Sequence, residues 1–232
     1  MPAADTGLPA LGEARDGFAT MLDSVIWDWN GTLLDDVDIC VDAMNALLLR
    51  RNLQPLDRVR HQALFRFPVQ SYYEDLGFDF AREGFANVAS EYHKAYNERA
   101  AGARLHVDAR NALDTLRDAG VRQLLLSALV EDSLRAQIEQ YGISRYFSAV
   151  YGLPDTHAIS KVDRGRQLVE SESLDPANTT MVGDTVHDAE VADALGVRCL
   201  LVATGHQSAD HLGTAGCPVF STIGEVLSVV AA

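Results

Sequence analysis

The stretch Val25-Ile26-Trp27-Asp28-Trp29-Asn30-Gly31-Thr32-Leu33 sets a short apolar run directly before an acidic turn. The run reads as a strand starting near Asp23, and Asn30-Gly31 ends it. Asp28 therefore stands where an apolar strand meets its turn. A carboxylate at such a place commonly serves as a helix cap or lies in a solvated turn. Its meaning depends on what the rest of the chain brings beside it.

Working outward, residues after about 105 repeat one unit: an amphipathic helix, often a glycine, then a short apolar strand. Helix 109–119 stops at Gly120 before strand 122–127, and helix 133–141 stops at Gly142 before a strand near 148–151. Helix 162–170 precedes strand 179–182, and helix 189–195 stops at Gly196 before strand 198–202. Glycine just past a helix accepts the left-handed terminal conformation, and apolar strand runs suit a sheet buried on both faces. The expected fold is α/β, a doubly wound, Rossmann-like parallel sheet.

Between the first strand and the second the texture is helical. Val37, Cys40, Val41, Met44, Leu47 and Leu48 recur at three and four spacing, which predicts an amphipathic helix. Further helices are expected over 58–64, 69–76 and 82–99, separated by Pro68 and the turn 77–80. That is too long for a simple crossover, so residues 37–104 are expected to form an inserted all-helical domain. Residues 23–36 and 105–232 then make the core, and 1–22, small and polar, a loose tail.

Composition narrows the function classes. The 232 residues carry 33 acidic and 19 basic side chains, a formal charge of −14, which disfavours a broad grip on nucleic acid or anionic lipid. No apolar run approaches the roughly 20 residues of a membrane span, and the N-terminal stretch carries more acid than base. Cys40, Cys199 and Cys217 are odd in number and far apart, which does not make a disulfide framework. A reduced, cytoplasmic setting and a monomer or homodimer are expected. Only two of the basic residues, Lys94 and Lys161, are lysines.

In open parallel sheets ligands bind beyond the carboxyl ends of the strands. Four such places hold suggestive residues: Asp28 to Thr32, Ser127, Lys161, and the run Gly183-Asp184-Thr185-Val186-His187-Asp188. Two acidic loops with a hydroxyl and a lysine are the parts needed for metal-assisted phosphoryl transfer. In this pattern the chain resembles the haloacid dehalogenase superfamily of hydrolases. Asp28 matches the first motif, Ser127 the second, Lys161 the third, and Gly183-Asp184 with Asp188 the fourth. The resemblance runs from about residue 23 to the end, and the helical insertion resembles the cap of phosphoglycolate phosphatases.

The resemblance implies magnesium-dependent hydrolysis of a small phosphorylated metabolite. Asp28 would be the nucleophile and form an aspartyl-phosphate. Mg2+ would be held by Asp28, the main-chain carbonyl of Asn30, and Asp184, with Asp188 behind them orienting a bound water or Lys161. Ser127 and the N–H of Ala128 would hold phosphoryl oxygens, Lys161 would offset charge, and Thr32 would fix the loop. Gly31 would allow the sharp turn. In the cap, Arg66 is a candidate for an anionic part of the substrate.

Asn30 departs from the pattern, because these phosphatases usually have an aspartate there to protonate the leaving oxygen. An amide cannot exchange that proton near neutral pH, and general acid–base help is worth about 10²- to 10⁴-fold. The alternatives are a substrate with a good leaving group, another acid such as His187 or His206, or a phosphometabolite-binding or phosphoprotein module with little turnover. Phosphonate cleavage is a further alternative, but it uses a lysine early in the cap, where only the late Lys94 is available.

Overall fold

The computed structural model describes residues 22–154 and 160–230. Apart from Leu22, the expected tail 1–22 lies outside the described residues. Six parallel strands form one sheet in the order β5-β4-β1-β6-β7-β8. They are β1 (Ser24–Trp27), β4 (Arg122–Val130), β5 (Ala149–Leu153), β6 (Thr179–Gly183), β7 (Arg198–Val202) and β8 (Val219–Phe220). The first strand is central, flanked by β4 and β6, with Trp27 level with Leu125 and Val182. The strand order reverses beside β1, which is where a doubly wound sheet opens its ligand crevice.

Period-two alternation distributes the strand side chains between two apolar layers. Val25, Trp27, Leu125, Val182 and Leu200 pack on one face against α6 (Ala109–Asp118), α7 (Glu131–Gln140) and α10 (Ile223–Val230). Ile26, Leu124, Leu126 and Met181 pack on the other against α8 (Lys161–Ser171) and α9 (Val186–Leu195). The expected α/β architecture is therefore the observed one.

Residues 37–97 form five helices: α1 (Val37–Arg50), α2 (Arg58–Leu64), α3 (Val69–Asp75), α4 (Phe80–Glu83) and α5 (Phe85–Asn97). Met44, Leu47, Leu48, Tyr72, Tyr73, Val88 and Tyr96 give them an apolar cluster of their own. At the stem, β2 (Leu34–Asp35) and β3 (Arg104–Leu105) pair antiparallel as a two-stranded ribbon, which the sequence reading did not contain. The expected helix 82–99 is instead two, because Gly84 at φ 71° stops one and starts the next.

Two further boundaries differ from expectation. Strand β4 runs on to Val130, where it regains pairing with Leu153 after a register shift. Helix α9 starts three residues earlier than its apolar spacing indicates. Thr185 and Asp188 form a reciprocal capping box there, satisfying the first orphan N–H groups with polar side chains.

Candidate active site

The turn after β1 is closed by main-chain bonds. The Trp29 carbonyl accepts the N–H groups of Thr32, Leu33 and Leu34, while the Gly31 N–H donates to Leu34 O at 2.8 Å. Gly31 has φ 75°, and a Cβ there would sit 2.3 Å from Asp184 Oδ2 and 2.7 Å from His206 Cδ2. Only glycine lets this turn lie against the second acidic loop. Trp29 anchors the turn beneath, fully buried, with its indole N–H on Gln137 Oε1 at 2.7 Å.

Asp28, Asp184 and Asp188 meet at the carboxyl ends of β1 and β6, with carboxylate oxygens within 4.8 Å of one another. All three are buried. Asp184 is held from both sides: Thr32 Oγ1 donates to Oδ1 at 2.9 Å and the His206 N–H donates to Oδ2 at 2.7 Å. Gly205 makes room for it, since a Cβ at that position would lie 2.1 Å from Asp184 Oδ2. Asp188 Oδ2 accepts from Thr185 Oγ1 at 2.6 Å and from the N–H groups of Thr185 and Asp184. Its other oxygen takes Lys161 Nζ at 2.6 Å, and the same ammonium also hydrogen-bonds Asp28.

The electrostatics follow from this crowding. Burial raises the Asp28 carboxyl; Lys161 opposes the rise but Asp188 and Asp184 add to it, and it stands at about 8. Burial likewise raises Asp184; the charge of His206 opposes this and that of Asp188 reinforces it, leaving it at about 6. For Asp188, burial is outweighed by Lys161 and by the Thr185 hydrogen bond, so it is held below its ordinary value. Lys161 is the mirror case: burial would lower it, yet Asp188 and Asp28 hold it above the usual lysine range. A buried, oxygen-only cluster with three carboxylates and one ammonium suits a hard divalent cation, whose charge would balance the excess. Asp28, Asp184 and the Asn30 carbonyl are the groups that would hold it.

The remaining candidates are placed as follows. Ser127, buried near the carboxyl end of β4, accepts the Leu129 N–H at 3.1 Å, and Ala128 beside it is exposed. Arg66 is not brought into this cluster: it is half-exposed and pairs with Asp75 at 2.7 Å. His187 stacks on Phe67, with ring centroids 4.5 Å apart, and bonds Glu190 through Nδ1. Lys94 is exposed on α5, so the lysine that phosphonate cleavage would need from the insert is not at the cluster.

Of the polar residues that join the helical segment to the core, only Asn30 and His206 are among the sequence candidates. Asp36, 1% exposed, accepts from the Gly31 N–H at 3.0 Å, from Asn30 Nδ2 at 2.7 Å and from the Tyr96 hydroxyl at 2.8 Å. His206 Nε2 lies 3.4 Å from its other side. Burial would raise Asp36 and lower His206, but their mutual attraction prevails: Asp36, helped by Asn30 and Tyr96, is held at about 2 and His206 is pushed up to about 9. His206 Nδ1 lies 3.1 Å from His61 Nε2, a hydrogen bond that a protonated His206 would donate. Burial and the His206 charge depress His61 to about 3, which favours the neutral ring, and its Nδ1 hydrogen-bonds Tyr72 Oη at 2.8 Å. Gln62 and Gln207 add bonds to the Gly205 and Phe65 carbonyls across the same boundary. No periodicity marks these residues; the one available signal is an acidic pair, Asp35-Asp36, immediately before an apolar helix.

Comparison with known proteins fits this geometry. Residues 25–202 match the haloacid dehalogenase-like hydrolase family, and the chain belongs to it. A 5'-nucleotidase of Pseudomonas aeruginosa is 26% identical over 196 residues, covering 82% of this chain and 86% of its own. A phosphoglycolate phosphatase of Pseudomonas fluorescens is 26% identical over 196 residues, with 78% and 70% covered. Among solved structures, Protein Tyrosine Kinase A of Mycobacterium tuberculosis superposes with a TM-score of 0.77 at 24% identity, over 92% of this chain and 100% of that one. That likeness is one of fold.

Proposed function

We propose that this protein is a magnesium-dependent phosphatase that hydrolyses a small phosphate monoester through phosphorylated Asp28. The observation that carries the reading is the Asp28 carboxylate itself. It sits at the end of the central strand, hydrogen-bonded by a buried lysine and facing Asp184 across the crevice. Bound Mg2+ would keep Asp28 ionised and draw charge from the phosphoryl oxygens. An Asp28 oxygen attacks phosphorus as the bond to the leaving oxygen breaks; water then attacks the same phosphorus, the Asp28–phosphorus bond breaks, and phosphate leaves. Lys161 compensates charge on Asp28 and on the group in transfer, and Asp188 holds Lys161 in place. Ser127 and the Ala128 N–H, on the neighbouring strand near the register shift before Val130, are the groups for the phosphoryl oxygens.

Two curated relatives act, by name, on phosphoglycolate and on nucleotides, which supports a small phosphate ester as substrate. A second reading, a phosphometabolite-binding module with weak turnover, is favoured by one observation: the Asn30 amide is committed to Asp36 and Tyr96 and supplies no acid. A panel of phosphate esters, with ATP included as a phosphoryl donor, separates these readings. Turnover that needs Mg2+ and is lost in Asp28→Asn supports hydrolysis. Tight beryllofluoride or vanadate binding with no turnover across the panel supports the binding module instead.

A further inference from the structure

We propose that Asn30 and Asp36 are a transposed amide–carboxylate pair, in which Asp36 is the positioning residue of the Asp28 loop and Asn30 is an amide because its neighbour is a carboxylate. Asp36 is nearly inaccessible, and its oxygens take the Gly31 N–H at 3.0 Å, Asn30 Nδ2 at 2.7 Å, the Tyr96 hydroxyl at 2.8 Å and the Cys40 thiol at 3.5 Å. Asn30 Nδ2 makes a second bond, to Tyr96 Oη at 3.1 Å. Gly31 and Asn30 belong to the turn that follows Asp28, Tyr96 to helix α5, and His206, 3.4 Å from Asp36, to the loop after β7. One carboxylate thus ties the nucleophile turn to the helical segment and to the loop that holds Asp184.

The chemistry of residue 30 follows from that hub. An amide offers two N–H donors to a buried acceptor; an ionised carboxylate offers none. Aspartate at position 30 would place two carboxylates in hydrogen-bond contact where water cannot screen them, a cost that unmatched buried charge always carries. Asparagine at 36 with Asn30 retained would set amide against amide and leave His206 without its counter-ion. Exchanging both residues restores one donor and one acceptor across the same gap.

The test uses the full chain in four forms: wild type, Asn30→Asp, Asp36→Asn and Asn30→Asp/Asp36→Asn. In metal-free buffer each single variant is expected to melt lower by about 2–8 °C, the shift that a loss of one to two kcal/mol gives a chain of this size. The exchanged variant is expected to recover more than half of the larger loss, a coupling that independent sites do not show. If the single variants do not fold, an exchanged variant that folds supports the pair. An exchanged variant no more stable than the worse single variant overturns it, as does an Asn30→Asp protein as stable as wild type.

A kinetic arm separates positioning from mere support of the fold, and it alone rests on the phosphatase reading. With p-nitrophenyl phosphate and saturating Mg2+, Asp36→Asn is expected to lower kcat about tenfold with KM within about twofold, because a displaced nucleophile turn loses transition-state alignment and not ground-state binding. An unchanged kcat in a folded Asp36→Asn protein refutes the positioning role. Absence of turnover in wild type refutes the phosphatase reading while the stability arm still decides the pair.

Discussion

Lys161 Nζ lies 2.6 Å from Asp188 Oδ1 while it also hydrogen-bonds Asp28, so one buried ammonium serves two carboxylates from separate loops. Lys161 is 7% exposed, and solvent does not dilute the interaction. Lys161→Met strips the charge and leaves both carboxylates uncompensated. Breaking a buried pair in this way costs about 3–5 kcal/mol, measurable by denaturant unfolding of the metal-free protein. Turnover should fall below detection in the same variant, even where added Mg2+ restores part of the stability.

The two glycines against Asp184 give a second prediction. Gly31→Ala and Gly205→Ala each drive a Cβ to within 2.3 Å of Asp184 Oδ2, so both should weaken Mg2+ binding in calorimetric titration. Gly120→Ala is the control. It shares a positive φ of 76° but has no atom within 4 Å of the new Cβ. It should cost about 1–2 kcal/mol of backbone strain and leave Mg2+ affinity at the wild-type value.

The pH dependence of stability has a definite sign. Asp28, Asp184 and His206 stand at about 8, 6 and 9, all above the ordinary values of 3.8 for aspartate and 6.5 for histidine. The folded protein therefore retains protons that the unfolded chain has released. The stability from these groups is complete below the ordinary values and is lost as pH rises through the folded ones. Asp36 runs the other way: its contribution is present above 3.8 and is lost as pH falls through about 2. His61, held at about 3, also runs the other way and offsets the loss below about 6.5, so metal-free protein should lose stability chiefly between about pH 7 and 9, and Mg2+, which binds the ionised carboxylates, should flatten that slope. A slope of the same steepness with and without Mg2+ would contradict the site.

Much of the fold was legible because strand and helix periods are local properties. Ile26 and Leu124 announce a buried sheet through the composition of their own neighbourhoods, and Gly120, Gly142 and Gly196 mark helix ends by backbone conformation alone. Asp28, Asp184 and Lys161 were readable because each stands at a strand end or helix start that topology brings to one crevice. The hub at Asp36 was not. Its partners Asn30 and Tyr96 are 6 and 60 residues away, and the His61–His206 contact spans 145 residues. No spacing rule connects such positions, and Arg66, a candidate only from its place in the cap and its planar donor fork, pairs with Asp75. The capping box of α9 shows the same limit in miniature, since Asp188 serves as helix cap and as lysine partner at once.

With the Asn30 amide occupied by Asp36 and Tyr96, the leaving oxygen departs without a proton from residue 30. Acyl, enol and aryl phosphates should be hydrolysed faster than alkyl phosphates at saturating Mg2+, with a spread of up to about 10²- to 10⁴-fold, the usual contribution of a general acid. Initial rates on a series of phosphate esters graded in leaving-group acidity measure the slope. A flat series shows that another group delivers the proton, and His187→Gln then becomes the first substitution to make.

The central claim is that Asp28 carries the phosphoryl group, and trapping it is the most direct measurement. Protein quenched in acid during turnover of an aryl phosphate with Mg2+ should, on peptide mass analysis, show the mass of one phosphoryl group on the peptide containing Asp28. Chelation and Asp28→Asn should each abolish both the label and the turnover. Steady turnover with no label on that peptide, or turnover that survives Asp28→Asn, would contradict the account.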